Sequence, residues 1–80
     1  MGSLRLQPSA RRDLRRLSET DRAAIVVALE KLALENAGDV IKLHGRKNEY
    51  RLRVGRFRAI FTRDAGILFV LRVLERKEAY

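Results

Sequence analysis

The chain has 80 residues, 46% of them hydrophobic, enough surface for one compact core and too little for two. It has no cysteine and a single histidine, His44, so neither a disulfide framework nor a Cys/His zinc site can hold the fold together. Formal net charge is +8, with 18 Lys and Arg against 10 Asp and Glu, and all of the basic residues except Lys31, Lys42, Lys47 and Lys77 are arginine. No apolar run approaches the roughly 20 residues that cross a bilayer, and the first residues lack the apolar stretch of a secretory signal. A single cytoplasmic domain over residues 1–80, away from membranes, is therefore expected. Met1-Gly2-Ser3 has the composition of a cloning scar and carries no weight in the fold expected here.

Leu4-Arg5-Leu6-Gln7 alternates apolar and polar, the period of a short strand, and Pro8 ends it. Over Ser9 to Leu17, Ala10, Leu14 and Leu17 recur at helical spacing, with Arg11, Arg12, Arg15 and Arg16 on other faces. Ser18, followed three residues later by Asp21, resembles a capping box and predicts a second helix. Ala24, Ile25, Ala28, Leu29, Leu32 and Ala33 carry that helix to a C-cap at Asn36-Ala37-Gly38. The two helices should form a hairpin.

Beyond Gly38 the period falls to two. Tyr50-Arg-Leu-Arg-Val54 and Phe57-Arg-Ala-Ile-Phe61 read as two strands of a meander, punctuated by Gly55 and by Asp64-Ala65-Gly66. Ile67 to Val73 is almost entirely apolar, as in a strand covered on both faces. The fold class is therefore α+β, with the helical hairpin on one face of the sheet and the other face bare.

Side chains alternate along a strand, so sending Tyr50, Leu52 and Val54 to the core sends Arg51 and Arg53 to the bare face. Phe57, Ala59 and Phe61 are the core set of the next strand, which turns Arg58 outward; Ile67, Phe69, Leu71 and Val73 in the third leave Arg72 and Arg76 outside. Five arginines on one surface repel one another over a Debye length of about 8 Å, and a polyphosphate backbone relieves that repulsion. Guanidinium also binds phosphate bidentately, which favours RNA as the partner. The plainer alternative is that these arginines solvate the sheet or pair with Glu49, Asp64, Glu75 and Glu78. His44 lies in a loop-like stretch and is read as structural.

Tyr50-Arg-Leu-Arg-Val-Gly-Arg-Phe-Arg-Ala-Ile-Phe61 and Leu68-Phe-Val-Leu-Arg-Val-Leu-Glu-Arg-Lys-Glu-Ala-Tyr80, with Ala10-Arg-Arg-Asp-Leu14 and Ile41-Lys-Leu-His-Gly45 upstream, resemble the RelE/ParE toxin superfamily across nearly the whole chain. The resemblance implies a RelE-like β-α-α-β-β-β fold, antiparallel in its C-terminal meander, and a toxin neutralised by a cognate antitoxin. Toxins of the RelE branch act on mRNA at the ribosomal decoding site without a metal or other cofactor. That branch's catalytic positions carry over onto Arg51, Arg53, Arg58, Arg76 and Tyr80, with Arg56, Arg72 and Lys77 as further RNA-binding residues. Cleavage by the RNA's own 2′-hydroxyl needs a base, positive charge on the pentavalent phosphate and an acid at the leaving oxygen. Arginine suits the second role and, with its high pKa, not the first. Arg76 is assigned to the leaving group, and Tyr80 to base stacking or proton transfer.

The sequence departs from the family in two places. Arg51 and Arg53 stand where lysine is commoner, which leaves the general base unassigned, and Glu75 stands where histidine is frequent. Glu75 either takes over proton transfer or forms a salt bridge, the reading preferred here. Relatives also run somewhat beyond the position of Tyr80, whose carboxylate would oppose phosphate binding, so a trimmed or attenuated domain is expected. Two alternatives share the fold: a ParE-like poison of DNA gyrase, and a non-catalytic RNA-binding domain.

Overall fold

The structure, a computed structural model, describes residues 3–45 and 48–77. Its elements run β1 (Ser3–Leu6), α1 (Pro8–Arg15), α2 (Glu19–Glu35), β2 (Asp39–Lys42), β3 (Glu49–Val54), β4 (Phe57–Asp64) and β5 (Ile67–Glu75). Among the described residues they make one five-stranded sheet in the order β1-β5-β4-β3-β2. β1 pairs parallel to β5, and all other neighbours are antiparallel. The helical hairpin carries the chain from the β1 edge to the β2 edge and covers one face on the way.

The local signals act as their chemistry requires. Pro8 opens α1 rather than merely ending β1, since the first helical residue has no amide bond to lose. Ser18 caps α2, its hydroxyl accepting from the Asp21 amide at 3.1 Å, and Asn36 closes the helix with φ 55°. Gly38 serves close packing instead. A Cβ there would lie 2.8 Å from Cδ1 of the buried Leu52, and the φ of 153° is one that L side chains rarely adopt, so glycine suits the close passage of the α2–β2 connection over the core. At the β4–β5 hairpin both central residues, Ala65 and Gly66, have positive φ (51° and 79°), the geometry of a type I′ turn.

The core lies between hairpin and sheet. Ala10 and Leu14 of α1 and Ile25, Leu29 and Leu32 of α2 pack on Leu52, Phe57, Ala59, Phe61, Leu68, Val70 and Val73. Phe61 is fully buried on the central strand and stacks on Tyr50 of β3 at 5.5 Å between centroids.

Three sequence expectations change. β2 is an added edge strand, four mostly exposed residues without a period-two pattern to announce it. Ser3, set aside as vector-like, pairs with Ile67 in β1. In β5 the core residues are Leu68, Val70 and Val73, not Ile67, Phe69 and Leu71. The cause is a β-bulge: Ile60 is opposite Arg72 while Phe61 is opposite Val70, which leaves Leu71 as an extra residue and resets the phase.

Candidate nucleic-acid interface

The face without helices presents the arginines of β3 and β4. Arg53 lies opposite Arg58, and Arg51 lies opposite Ile60, so alternation turns all three basic side chains away from Leu52, Ala59 and Phe61. Arg58 is at the centre and only 7% exposed. Its Nη1 donates to the carbonyls of Gly55 and Phe57, both at 2.8 Å, which pins the guanidinium on the tight β3–β4 turn. Burial pulls its pKa below the ordinary arginine value, and the charges of Arg51, Arg53 and Arg76 add to that effect, while Asp39 opposes it. Arg76 is brought in from the end of β5, where its amide donates to the Arg56 carbonyl at 2.7 Å. Arg51, Arg53 and Arg58, neighbours along the β3–β4 hairpin, and Arg76, distant in sequence, thus form one electrostatic cluster.

The remaining expected residues have other surroundings. Arg72 does not join the cluster: its Nε and Nη2 donate to the Asp13 carboxylate at 2.8 and 3.2 Å, across to the helix-bearing side. Arg56 leans over the Phe57 ring and pairs with Asp21 at 3.2 Å, also toward the helices. Glu75 is opposite Phe57 and so emerges on the helix side of the strand, turned away from Arg58. Arg56, Glu75, Arg76 and Lys77 together line a shallow groove beside the cluster. Tyr80 lies outside the described residues.

Two acids were not singled out from the sequence. Asp39, the first residue of β2, pairs with Arg53 at 2.6 Å; both side chains are more than half exposed, so the pair is worth at most about 1 kcal/mol. Asp13 sits inside the apolar stripe of α1, only 7% exposed, and accepts from both Arg72 and the Val73 amide (2.8 Å). Burial raises its pKa, but those hydrogen bonds and the charges of Arg72 and Arg16 outweigh burial and hold the carboxyl below its usual range. An acid between Ala10 and Leu14 was the available signal, since a charge at a core position needs a buried partner. Among the described residues, no group of three His, Cys, Asp or Glu side chains is placed to hold a metal ion, and no helix is long and apolar enough to cross a membrane.

A helical hairpin over a mixed five-stranded sheet, with an arginine cluster on the bare face, defines the class: a small basic α+β domain with the RelE toxin fold. Residues 4–80 match the model of the ParE toxin of type II toxin-antitoxin systems, parDE, and the chain belongs to that family within the RelE/ParE superfamily. Among solved structures it is similar to the toxin-antitoxin complex RelBE2 from Mycobacterium tuberculosis, with 28% identity over 94% of this chain and 98% of that one and a TM-score of 0.81. It is also similar to the RelB-RelE antitoxin-toxin complex from Methanococcus jannaschii (26% identity, 95% and 94% coverage, TM-score 0.79). The intact RelBE complex of E. coli, at 22% identity, 94% and 96% coverage and TM-score 0.73, shares the fold. No match is found among the curated proteins.

Proposed function

We propose that this toxin-family domain is a ribosome-dependent endoribonuclease that cuts mRNA at the decoding site in the cytoplasm. The observation that supports this most is the convergence of Arg51, Arg53 and Arg76 around a buried, turn-anchored Arg58 on the bare face. Cleavage follows from attack of a ribose 2′-oxygen on the adjacent phosphorus. The P–O5′ bond breaks, a 2′,3′-cyclic phosphate forms, and the 2′-hydroxyl proton is lost as the 5′-oxygen gains one. Charge builds on the phosphoryl oxygens, where fixed guanidinium groups stabilise it better than mobile water does. Arg58 is the best fixed of the four because two backbone carbonyls hold it. Arg51 and Arg53 grip flanking phosphates, and Arg76 faces the leaving oxygen. Tyr80 is assigned to stacking or proton transfer at the same site. Arg56, Arg72 and Lys77 contribute longer-range attraction, the first two through side chains already held by acids.

Structurally similar proteins are found in complexes with antitoxins, and a cognate antitoxin with an acidic or amphipathic segment is the partner proposed for this chain. A second reading, poisoning of DNA gyrase, is favoured by one finding, that the matching family model is that of ParE. Purified chain added to a translation reaction, with primer extension on the mRNA, decides between them. Cuts within codons at the decoding site that disappear with Arg58→Ala plus Arg76→Ala are the expected result; each arginine should be worth about 10²- to 10³-fold in rate. Intact mRNA together with stalled gyrase in a supercoiling assay would replace this reading by the second.

A further inference from the structure

The arginine cluster on the sheet leaves α1 unexplained. Arg11, Arg12, Arg15 and Arg16 are all exposed, whereas Ala10, Asp13 and Leu14 are buried. At about 100° per residue the four arginines fall within an arc of about 140°, centred opposite the buried side. The only acid of α1 is Asp13, which is turned inward and held by Arg72 and the Val73 amide. Among the described residues none of the four arginines forms an ion pair. Arg11 and Arg15 are like charges one turn apart, as are Arg12 and Arg16, an arrangement that destabilises a short helix unless an anion lies across it. Around the β1 edge the surface continues into a groove lined by Arg5, Gln7, Arg11 and Phe69.

We propose that the outer face of α1 is a second nucleic-acid surface that takes the phosphate backbone of double-helical RNA, separate from the arginine cluster on the sheet. The chemistry selects this occupant. Residues 8–16 contain no aromatic side chain on which unstacked bases could lie, and the adjoining groove adds the single ring of Phe69, so the face of α1 itself offers charge without the succession of stacking platforms that single strands use. Its apolar residues, Ala10 and Leu14, are buried in the core, so nothing on this face could anchor in a lipid bilayer. Every cation in the arc is arginine, whose fork matches phosphate oxygens spaced along a duplex edge. α1 packs on β5 on the helix-bearing side of the sheet, where the Ser9 hydroxyl donates to the Leu71 carbonyl at 2.8 Å. The two basic surfaces therefore look in opposite directions, and the domain can hold a single strand on one and a folded RNA on the other. This assignment goes beyond the proposed cleavage and does not require it.

The test compares the whole chain with a variant carrying Arg11→Gln, Arg12→Gln, Arg15→Gln and Arg16→Gln, by fluorescence anisotropy with a double-stranded RNA hairpin and with a short single-stranded RNA. The variant is expected to bind the hairpin at least about tenfold more weakly, with the slope of log K against log salt reduced by about 3, and to bind the single strand within about twofold of the parent. Arg51→Gln with Arg53→Gln is expected to give the reverse pattern. The like-charge pairs removed from α1 are offset by the lost attraction of Arg16 for Asp13, so the melting temperature of the α1 variant is expected to stay within a few degrees of the parent, and measuring it separates lost binding from unfolding. Equal losses on both RNAs, or undiminished hairpin binding, would overturn the proposal. So would tighter binding of a DNA duplex than of the RNA hairpin. An α1 variant that keeps hairpin affinity but loses binding to polyglutamate or to anionic vesicles would give the face to an acidic protein or a membrane instead.

Discussion

At the scale of single residues, charge is controlled by a few acids placed against an excess of arginine. Asp39 holds Arg53 at the rim of the sheet cluster and partly offsets the field around Arg58. It therefore competes with phosphate, and Asp39→Asn should strengthen single-stranded RNA binding by about three- to tenfold at low salt, read by anisotropy. Weaker binding would show that the pair positions Arg53 for RNA rather than occupying it. Asp13 works on stability. Because its folded pKa is depressed, the stabilisation it contributes is complete above the unfolded carboxyl value of about 4 and is lost as pH falls through the folded value. Asp13→Asn should cost about 1–3 kcal/mol at neutral pH, since the Val73 amide and Arg72 lose a buried charged acceptor. Urea midpoints of parent and variant should converge below about pH 4.

At the scale of elements, turns and caps set which strand meets which. Ala65 has φ 51°, a conformation costly for alanine, in a turn whose second residue is already glycine. Ala65→Asn supplies the Asn-Gly pair that a type I′ hairpin prefers, and should stabilise the domain by about 0.5–1 kcal/mol. A calorimetric melting temperature several degrees higher is the expected readout. Gly38→Ala should act in the opposite sense, because its Cβ would press on Leu52 at the α2–β2 connection. The β5 bulge is the element-scale feature with the widest effect. It keeps Val70 and Val73 on the core side and leaves Arg72 able to reach α1, so α1, β5 and the bulge are tied together through Asp13.

At the scale of the molecule, a net charge of +8 sits on a domain whose core is one layer of side chains between hairpin and sheet. Phe61 is at the middle of that layer, and Phe61→Ala should cost about 3–5 kcal/mol, enough to unfold a domain of this size near body temperature. The helices cover one sheet face, which is why the arginines of β3 and β4 must face outward together. The α1 arginines sit on the far side of the same layer.

Whatever depends on near neighbours along the chain was already legible in the amino acids. The period of two in Tyr50–Val54 and Phe57–Phe61 put Arg51, Arg53 and Arg58 on one face; Ser18 and Asn36 bounded α2; the lack of cysteine left stability to the core. The phase of β5 required the folded molecule, because an all-apolar run carries no alternation and the bulge arises from pairing with β4. Folding also joined Arg72 to Asp13, Arg56 to Asp21 and Arg53 to Asp39, and turned Glu75 away from Arg58. Each of these depends on elements distant in sequence meeting in space, and a charge acquires its partner only when the chain brings one within a few ångströms.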